Sequence, residues 1–342
     1  MQGEYRKTGR PGEGMSPKCI ICDGPVTRYL GPLWDKLYGV EVTTHLVRCT
    51  RRDCNHVSVF PMPDEAEIAG YYSEYSTHHI TSMPVRWWRR LYWSMLDFVL
   101  IWDCFAWQRE DLAYCSLHKF SRGKVLDFGC GSGQLMKRLG ELGWDECEGF
   151  DFDEKALKVA RSCLPNSRLH YSFQTLLSSG NMYDYIILNH VLEHLADPLA
   201  GLGQLMHLLA PGGKIIVRTP NSKSFLARLL RTSWRGLEPP RHLNLFTIES
   251  LRCLCKRLNL EDVHIYTSNA MFQGVYAGTT LVHYNRIKGV QPFLAWGLRL
   301  SSPAVLFLAS IVRKVFGHTG EELVGIFSVG PWANAADRRV RE

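Results

Sequence analysis

The chain has 342 residues, 46% hydrophobic and 21% charged, with 40 Lys and Arg against 33 Asp and Glu for a net charge of +7. That length and balance exclude a disordered or fibrous protein and leave room for one large domain with appendages. The positive charge suits an anionic partner without choosing among lipid, nucleic acid and phosphorylated substrate.

Residues 1–16 are polar and glycine-rich and read as a flexible tail with no secretory leader. Eleven cysteines without such a leader point to reduced thiols or metal ligands, and to a cytoplasmic location. Four of them form two knuckles, Cys19-x2-Cys22 and Cys49-x4-Cys54, separated by 26 residues with strand-like alternation at 40–47. Two short loops that each present two thiolates predict a tetrahedral zinc ribbon over residues 17–62. The second knuckle is wide, which keeps Asp53, His45 and His56 open as substitute ligands. The ion would staple a lobe too small to bury a core of its own. Arg48, Arg51 and Arg52 make nucleic acid a partner to weigh for this lobe.

Residues 63–119 are expected to form a helical linker or lid. Their Trp87, Trp88, Trp93, Trp102 and Trp107 follow or flank Arg86, Arg89 and Arg90. Asp97 and Asp103 interrupt the apolar run, which disfavours a membrane-crossing helix. A lid, a homodimer face and a helix lying in a membrane interface all fit that composition.

From residue 120 to 330 the pattern is βα. A buried strand at Val125–Phe128 runs into Gly129, Gly131 and Gly133, and a helix opens at Gln134. A glycine turn between strand and helix N-terminus is a site for a nucleotide-like ligand. Gln134 stands where a dinucleotide fingerprint has a further glycine, and the Asp127 carboxylate would repel a pyrophosphate but attract an ammonium or sulfonium group. Further strands are expected at 147–150, near 170–172, at 183–188, 213–218, 263–266 and 323–329, the last two as a hairpin. The fourth delivers Asn189, His190, Glu193 and His194 at its carboxyl end, where ligands of such sheets bind. After the fifth, Pro239 and Pro240 stiffen a loop that presents Arg241 and His242 ahead of a helix at 247–258. An insertion at 270–320 contains an apolar segment ending in Arg313-Lys314, too short to cross a bilayer and suited to membrane attachment or oligomer burial. Residues 331–342 read as a tail. The expected fold is α/β, a Rossmann-like, seven-stranded doubly wound sheet with an N-terminal zinc-ribbon lobe and a helical insertion before the last strand.

Asp127-x-Gly129-x-Gly131-x-Gly133, followed by Gly149-Phe150-Asp151, resembles motifs I and II of class I methyltransferases dependent on S-adenosylmethionine (AdoMet). The resemblance implies that Asp127, Gly129, Cys130, Gly131 and Gly133 surround the methionine portion of AdoMet. It further implies Asp151 at the ribose hydroxyls, Phe152 beside the adenine, Gln174 at the adenine amino group and Asn189 near the transfer site. The cysteine knuckles, Pro61-Met62-Pro63, the Tyr71-Tyr72 cluster and the Pro-Arg-His segment are similar to a narrower group with an N-terminal zinc ribbon. Its members resemble ubiquinone-biosynthesis or glycan methyltransferases. Ubiquinone-type relatives place acidic residues and a His after the fourth strand, where they can hold a divalent cation. The matching positions here are His190, Glu193 and His194, with His190 departing from the expected carboxylate.

The expected activity is therefore O-methylation of a small or lipid-linked acceptor, either a quinone-type phenol or a glycan. His242 is the expected general base and Arg241 the expected clamp for an acceptor anion, with a helix cap as the plain structural alternative. Two other readings are a zinc-ribbon rRNA methyltransferase and a non-catalytic AdoMet-binding scaffold. Absence of an Asn/Asp-Pro-Pro-Tyr/Phe motif argues against methylation of a base amine, and nucleic acid is disfavoured as a partner. Peripheral contact with the inner membrane surface and a homodimer complete the expectations.

Overall fold

The computed structural model describes residues 17–35, 42–72, 117, 120–269 and 302–329. The tryptophan-rich segment and most of the insertion lie outside the described residues, as do both expected tails.

Strands β1 (Val26–Trp34), β2 (Thr43–Cys49) and β3 (Val57–Phe60) form an antiparallel ribbon, and helix α1 (Glu65–Tyr71) follows. A capping box starts α1: Asp64 accepts from Glu67 N, and Glu67 accepts from Asp64 N. The larger sheet begins with β4 (Val125–Phe128), all four residues buried, then α2 (Gln134–Glu141), β5 (Cys147–Phe150) and α3 (Glu154–Cys163). It continues through β6 (Leu169–His170), α4 (Phe173–Ser178), β7 (Tyr183–Asn189), α5 (Pro198–Met206), β8 (Leu209–Pro220) and α6 (Phe225–Leu230). A two-residue strand, β9 (Asn244–Leu245), precedes α7 (Ile248–Arg257), β10 (Leu260–Ser268), α8 (Ser302–Phe316) and β11 (Glu322–Val329).

The large sheet has seven strands in the order β10-β11-β8-β7-β4-β5-β6. Pairs among β4 to β8 are parallel, whereas β11 runs antiparallel between β8 and β10. The expected doubly wound sheet with a terminal hairpin is present, and its chain order reverses between β4 and β7. A crevice must open at the carboxyl ends of those two strands, because their crossovers leave in opposite directions.

The ribbon is not a separate bead. Val57 pairs with Leu245 and Ser58 with Asn244, so β9, from the chain between β8 and β10, completes a four-stranded sheet. Cys19, Cys22, Cys49 and Cys54 share one buried apolar cluster with Leu251, Leu254 and Cys255 of α7 and with residues of the seven-stranded sheet. Any force on the ribbon is thus transmitted to the segment just after His242.

Candidate active site

The glycine turn is built for close approach. Gly129 has φ +85°, and a Cβ there would sit 2.3 Å from Val191 Cγ2, so only hydrogen lets the two loops that flank the crevice meet. Gly133, at φ +78°, plays the same part between α2 and Leu164 at the end of α3. The amides of Gly129 and Cys130 both donate to Phe150 O, at 2.7 and 2.9 Å. Gly131 N donates to Asp151 Oδ2 at 2.8 Å, and Asp153 N to Asp151 Oδ1 at 2.9 Å. Asp151 thereby fixes the turn at the carboxyl end of β5.

Asp127 is buried at the end of β4, and its Oδ2 has no hydrogen-bond partner. Burial, aided by the Asp151 charge, pushes its carboxyl up to about 7. An unpartnered buried carboxylate is costly, and a ligand cation would relieve it. Asn189 Oδ1, at the end of β7, is a second buried acceptor without a partner. These two atoms fit the amino and sulfonium end of AdoMet. Phe152 is 65% exposed beyond Asp151, edge-on to Tyr72 at 5.5 Å, and offers a flat apolar face. Gln174 is exposed on α4, while its neighbour Phe173 turns inward against Phe128 and Phe150.

After β7 the chain turns through His190, a non-glycine residue at φ +57°, into a 3-10 turn over Leu192–His194. His190 Nδ1 lies 3.2 Å from Glu193 Oε1 and its Nε2 lies 2.8 Å from Glu322 Oε1. Glu322 also pairs with the buried Arg218. With a carboxylate against each ring nitrogen, both nitrogens must donate, and the ring is an imidazolium. Burial alone would favour the neutral ring, but hydrogen bonds to the two carboxylates hold its pKa up at about 9. His190 is therefore an internal cation and not a cation ligand, which corrects the expectation that grouped it with a metal.

Glu193 is fully buried and keeps Oε2 without a partner. Burial would raise its pKa, yet the His190 bond and charge win and lower it to about 2. One oxygen of Glu193 and one nitrogen each of His194 and His242 lie within 4.8 Å of one another, and the two rings meet edge to face at 4.7 Å. His242 Nδ1 is 2.8 Å from Gly236 O, and a carbonyl can only accept, so Nε2 is left with its lone pair. His194 Nδ1 sits 3.0 Å from Arg241 O and 2.8 Å from the Tyr72 hydroxyl. Burial lowers both imidazoles, His242 well below its ordinary value.

Arg241 departs from its expected role. Its guanidinium is 1% exposed and bonds Asp35 at 2.9 Å, Glu238 at 3.3 Å and Tyr71 O at 3.4 Å, so an acceptor anion has no access to it. It ties the ribbon and α1 to the loop, and its carbonyl orients His194. Tyr72, Glu322 and Arg218 are polar groups of the site that the sequence reading does not assign. Tyr72 had a signal in the Tyr71-Tyr72 cluster, but nothing in the chain announces that a residue 122 positions earlier meets His194.

At the ribbon, Cys19 Sγ and Cys54 Sγ are 3.7 Å apart, Cys22 Sγ and Cys49 Sγ 3.4 Å, and all four sulfurs fall within 4.8 Å. A tetrahedron with Zn–S bonds of about 2.3 Å has S–S edges of roughly 3.8 Å, so the four thiols fit one zinc ion. Two of the three substitutes have other partners: His56 bonds Asn244 Oδ1 at 2.9 Å, and Asp53 bonds Arg51 on the surface.

Residues 103–265 match the family described as a methyltransferase domain. The chain is 34% identical over 151 residues to a ubiquinone biosynthesis O-methyltransferase of Cereibacter sphaeroides, covering 41% of this chain and 61% of that protein. It is 37% identical over 117 residues to the like-named protein of Dinoroseobacter shibae, covering 32% of this chain and 47% of that one. The chain thus spans about three fifths or less of these relatives' own length. Among solved structures, an AdoMet-dependent methyltransferase from Archaeoglobus fulgidus aligns with a TM-score of 0.40 at 19% identity, over 64% of this chain and 93% of that one. The matched stretch, residues 103–265, is similar to methyltransferase domains and contains most of the sheet described above.

Proposed function

We propose that this methyltransferase domain performs AdoMet-dependent O-methylation of a quinone-type phenol, with Glu193, His194 and His242 receiving the phenolic proton. The observation that carries the reading is a buried, unpartnered Glu193 carboxylate whose oxygen lies within 4.8 Å of a nitrogen of half-buried His194 and of a nitrogen of buried His242. Glu193 is ionised, and the carbonyl beside His242 Nδ1 leaves the other His242 nitrogen to accept a proton, while His194 Nδ1 is held by Arg241 O and the Tyr72 hydroxyl. An acceptor hydroxyl supplies that proton. The names of the partial relatives support a phenolic acceptor over a glycan or RNA.

When bound, AdoMet supplies an electrophilic methyl group already activated on a sulfonium sulfur. Asp127, Asn189 and the Gly129–Gly133 turn would hold its amino-acid end, Asp151 the ribose, and Phe152 with Gln174 the adenine. The remaining tasks belong to the chain: to keep the acceptor oxygen in line, exclude water and take one proton. A neutral imidazole suits a phenol, whose pKa of about 10 falls as the oxygen is alkylated. The Glu193 carboxylate stabilises the imidazolium as it forms.

A divalent cation is the second reading, since one carboxylate oxygen and two imidazole nitrogens also make a ligand set. It would be held by Glu193, His194 and His242 and supply a Lewis acid to the acceptor oxygen. Incubation with methyl-labelled AdoMet and a catechol carrying a polyprenyl tail tests both. Labelled product from wild type, and a loss of about 10²- to 10⁴-fold in His242→Ala with AdoMet affinity retained, is the expected result. Undiminished labelling in the variant removes His242 from the reaction. Activity that vanishes on mild chelation and returns with Mg²⁺ selects the cation.

A further inference from the structure

The carboxyl edge of the sheet carries more than the crevice. Ser268, the last residue of β10, pairs with Glu322, the first of β11, and Glu322 pairs with Pro220, the last of β8. Helices α6 and α8 therefore leave the sheet at the edge where Glu322 meets His190. One stripe of α8 is buried: Leu306 and Ala309 share an apolar cluster with Leu226 of α6 and with Trp234 and Leu237, just ahead of Glu238 and Arg241. That stripe anchors the helix to the loop that carries His242.

The other stripe of α8 is apolar as well. Leu308, Ile311 and Val315, spaced i, i+3 and i+7, are 50%, 38% and 68% exposed. Phe316 at the helix end is 67% exposed, and Leu229 on the adjoining α6 is 60% exposed. A helix on a globular surface normally puts polar residues on that side. The surroundings are basic: Arg228, Arg231 and Lys314 are exposed, and neither α6, the following turn through Ser233, nor α8 contains an Asp or Glu.

We propose that Leu308, Ile311, Val315, Phe316 and Leu229, bordered by Arg228, Arg231 and Lys314, form a docking face for an anionic lipid bilayer. Charge selects the bilayer over a second copy of the chain, because self-association would bring like-charged arginines together whereas acidic headgroups complement them. Length selects a helix lying in the interface. Fifteen residues at about 1.5 Å rise fall well short of a hydrocarbon core roughly 30 Å thick. Among the described residues no helix is long and apolar enough to cross a membrane. Aliphatic side chains would enter the acyl boundary while the arginines stay with the headgroups. Docking in this orientation brings the carboxyl edge of the sheet to the lipid surface. The further step, that a lipid-tailed phenol enters the crevice from there, rests on the function proposed above; the docking itself does not.

Sedimentation of the full chain with vesicles tests the face. The wild type is expected to sediment with equimolar phosphatidylcholine and phosphatidylglycerol at low salt, and to remain in solution with phosphatidylcholine alone. Combined Leu308→Ser, Ile311→Ser and Val315→Ser should weaken binding by about tenfold or more. Arg228→Gln and Arg231→Gln should each cost roughly fivefold on acidic vesicles only. A wild type that does not sediment, equal binding to neutral vesicles, or a serine variant that binds like the parent overturns the proposal. So does a wild-type dimer, seen by light scattering, that the serine variant dissociates, because the occupant is then a second copy. If the triple variant unfolds early in a thermal scan, Val315→Glu at the end of α8 replaces it. AdoMet calorimetry on the same samples separates the two claims: binding of AdoMet without vesicle binding removes the docking face alone, and the reverse removes the methyltransferase reading alone.

Discussion

At the scale of single residues, the site works by leaving chosen buried atoms incomplete. Asp127 Oδ2, Asn189 Oδ1 and Glu193 Oε2 lack partners among the described residues, whereas neighbouring Asp151 and Glu322 are braced by amides or cations. Asp127 makes the consequence measurable. Its raised pKa of about 7 means that the native state holds a proton that the unfolded chain has lost above pH 4 or so. Stability therefore falls as pH rises from about 4 to 7, and the carboxylate needed by a cationic ligand appears over the top of that window. Calorimetry should find AdoMet affinity rising through pH 7 in the wild type, and weaker, flat across that range in Asp127→Asn; a parallel rise in the variant would assign the dependence elsewhere. Glu193→Gln should lower turnover by about 10² or more while leaving AdoMet affinity intact, because the lost charge faces the acceptor and not the cofactor. Its check is a kcat and Kd measured on the same preparation.

At the scale of elements, the glycine turn and the parallel strands were legible because they are local. Val125–Phe128 and Cys147–Phe150 fall where the apolar runs place them, and Gly129 declares the turn that needs a positive φ. Pairings over long separations were not. No local pattern predicts that Val57 and Ser58 pair with Leu245 and Asn244, or that Arg241 is spent on Asp35, because both depend on how the ribbon docks. Those contacts give the cysteine knuckles a reach beyond their own lobe. Removing an ion held by the four thiols, or Cys22→Ser, should loosen β3, release β9 and displace His194 and His242, so methyl transfer should fall together with the amide protection of Leu243–Leu245. Hydrogen exchange before and after chelation checks this, and protection that survives at β9 would detach the ribbon from the site. Asp35→Ala should remove the shorter of the two ion pairs of buried Arg241, leave Glu238 as its counter-charge, and cost on the order of 1–3 kcal/mol in chemical denaturation.

At the scale of the whole molecule, the two ends of the sheet are divided between stability and chemistry. The amino-terminal end closes on Glu148, which is buried among Lys124 at 2.9 Å, His170 at 2.9 Å and the Tyr183 hydroxyl at 2.8 Å. Burial opposes ionisation there, but hydrogen bonds from His170, Lys124 and Tyr183 win and lower the carboxyl to about 2. Since the folded pKa lies below the unfolded one, this stabilisation is present above about pH 4.5 and is lost as pH falls through 2. Glu148→Gln should accordingly cost on the order of 2 kcal/mol near neutrality and almost nothing at pH 2. The carboxyl-terminal end carries the incomplete acceptors, the His242 loop and the apolar stripe of α8. Transfer of a methyl label in a mixture of polyprenyl catechol and ribosomal RNA tests the central claim most directly. Label that enters the solvent-extractable phenol and leaves the RNA blank is the predicted result; label in the RNA, or none in either fraction from protein that binds AdoMet, would contradict it.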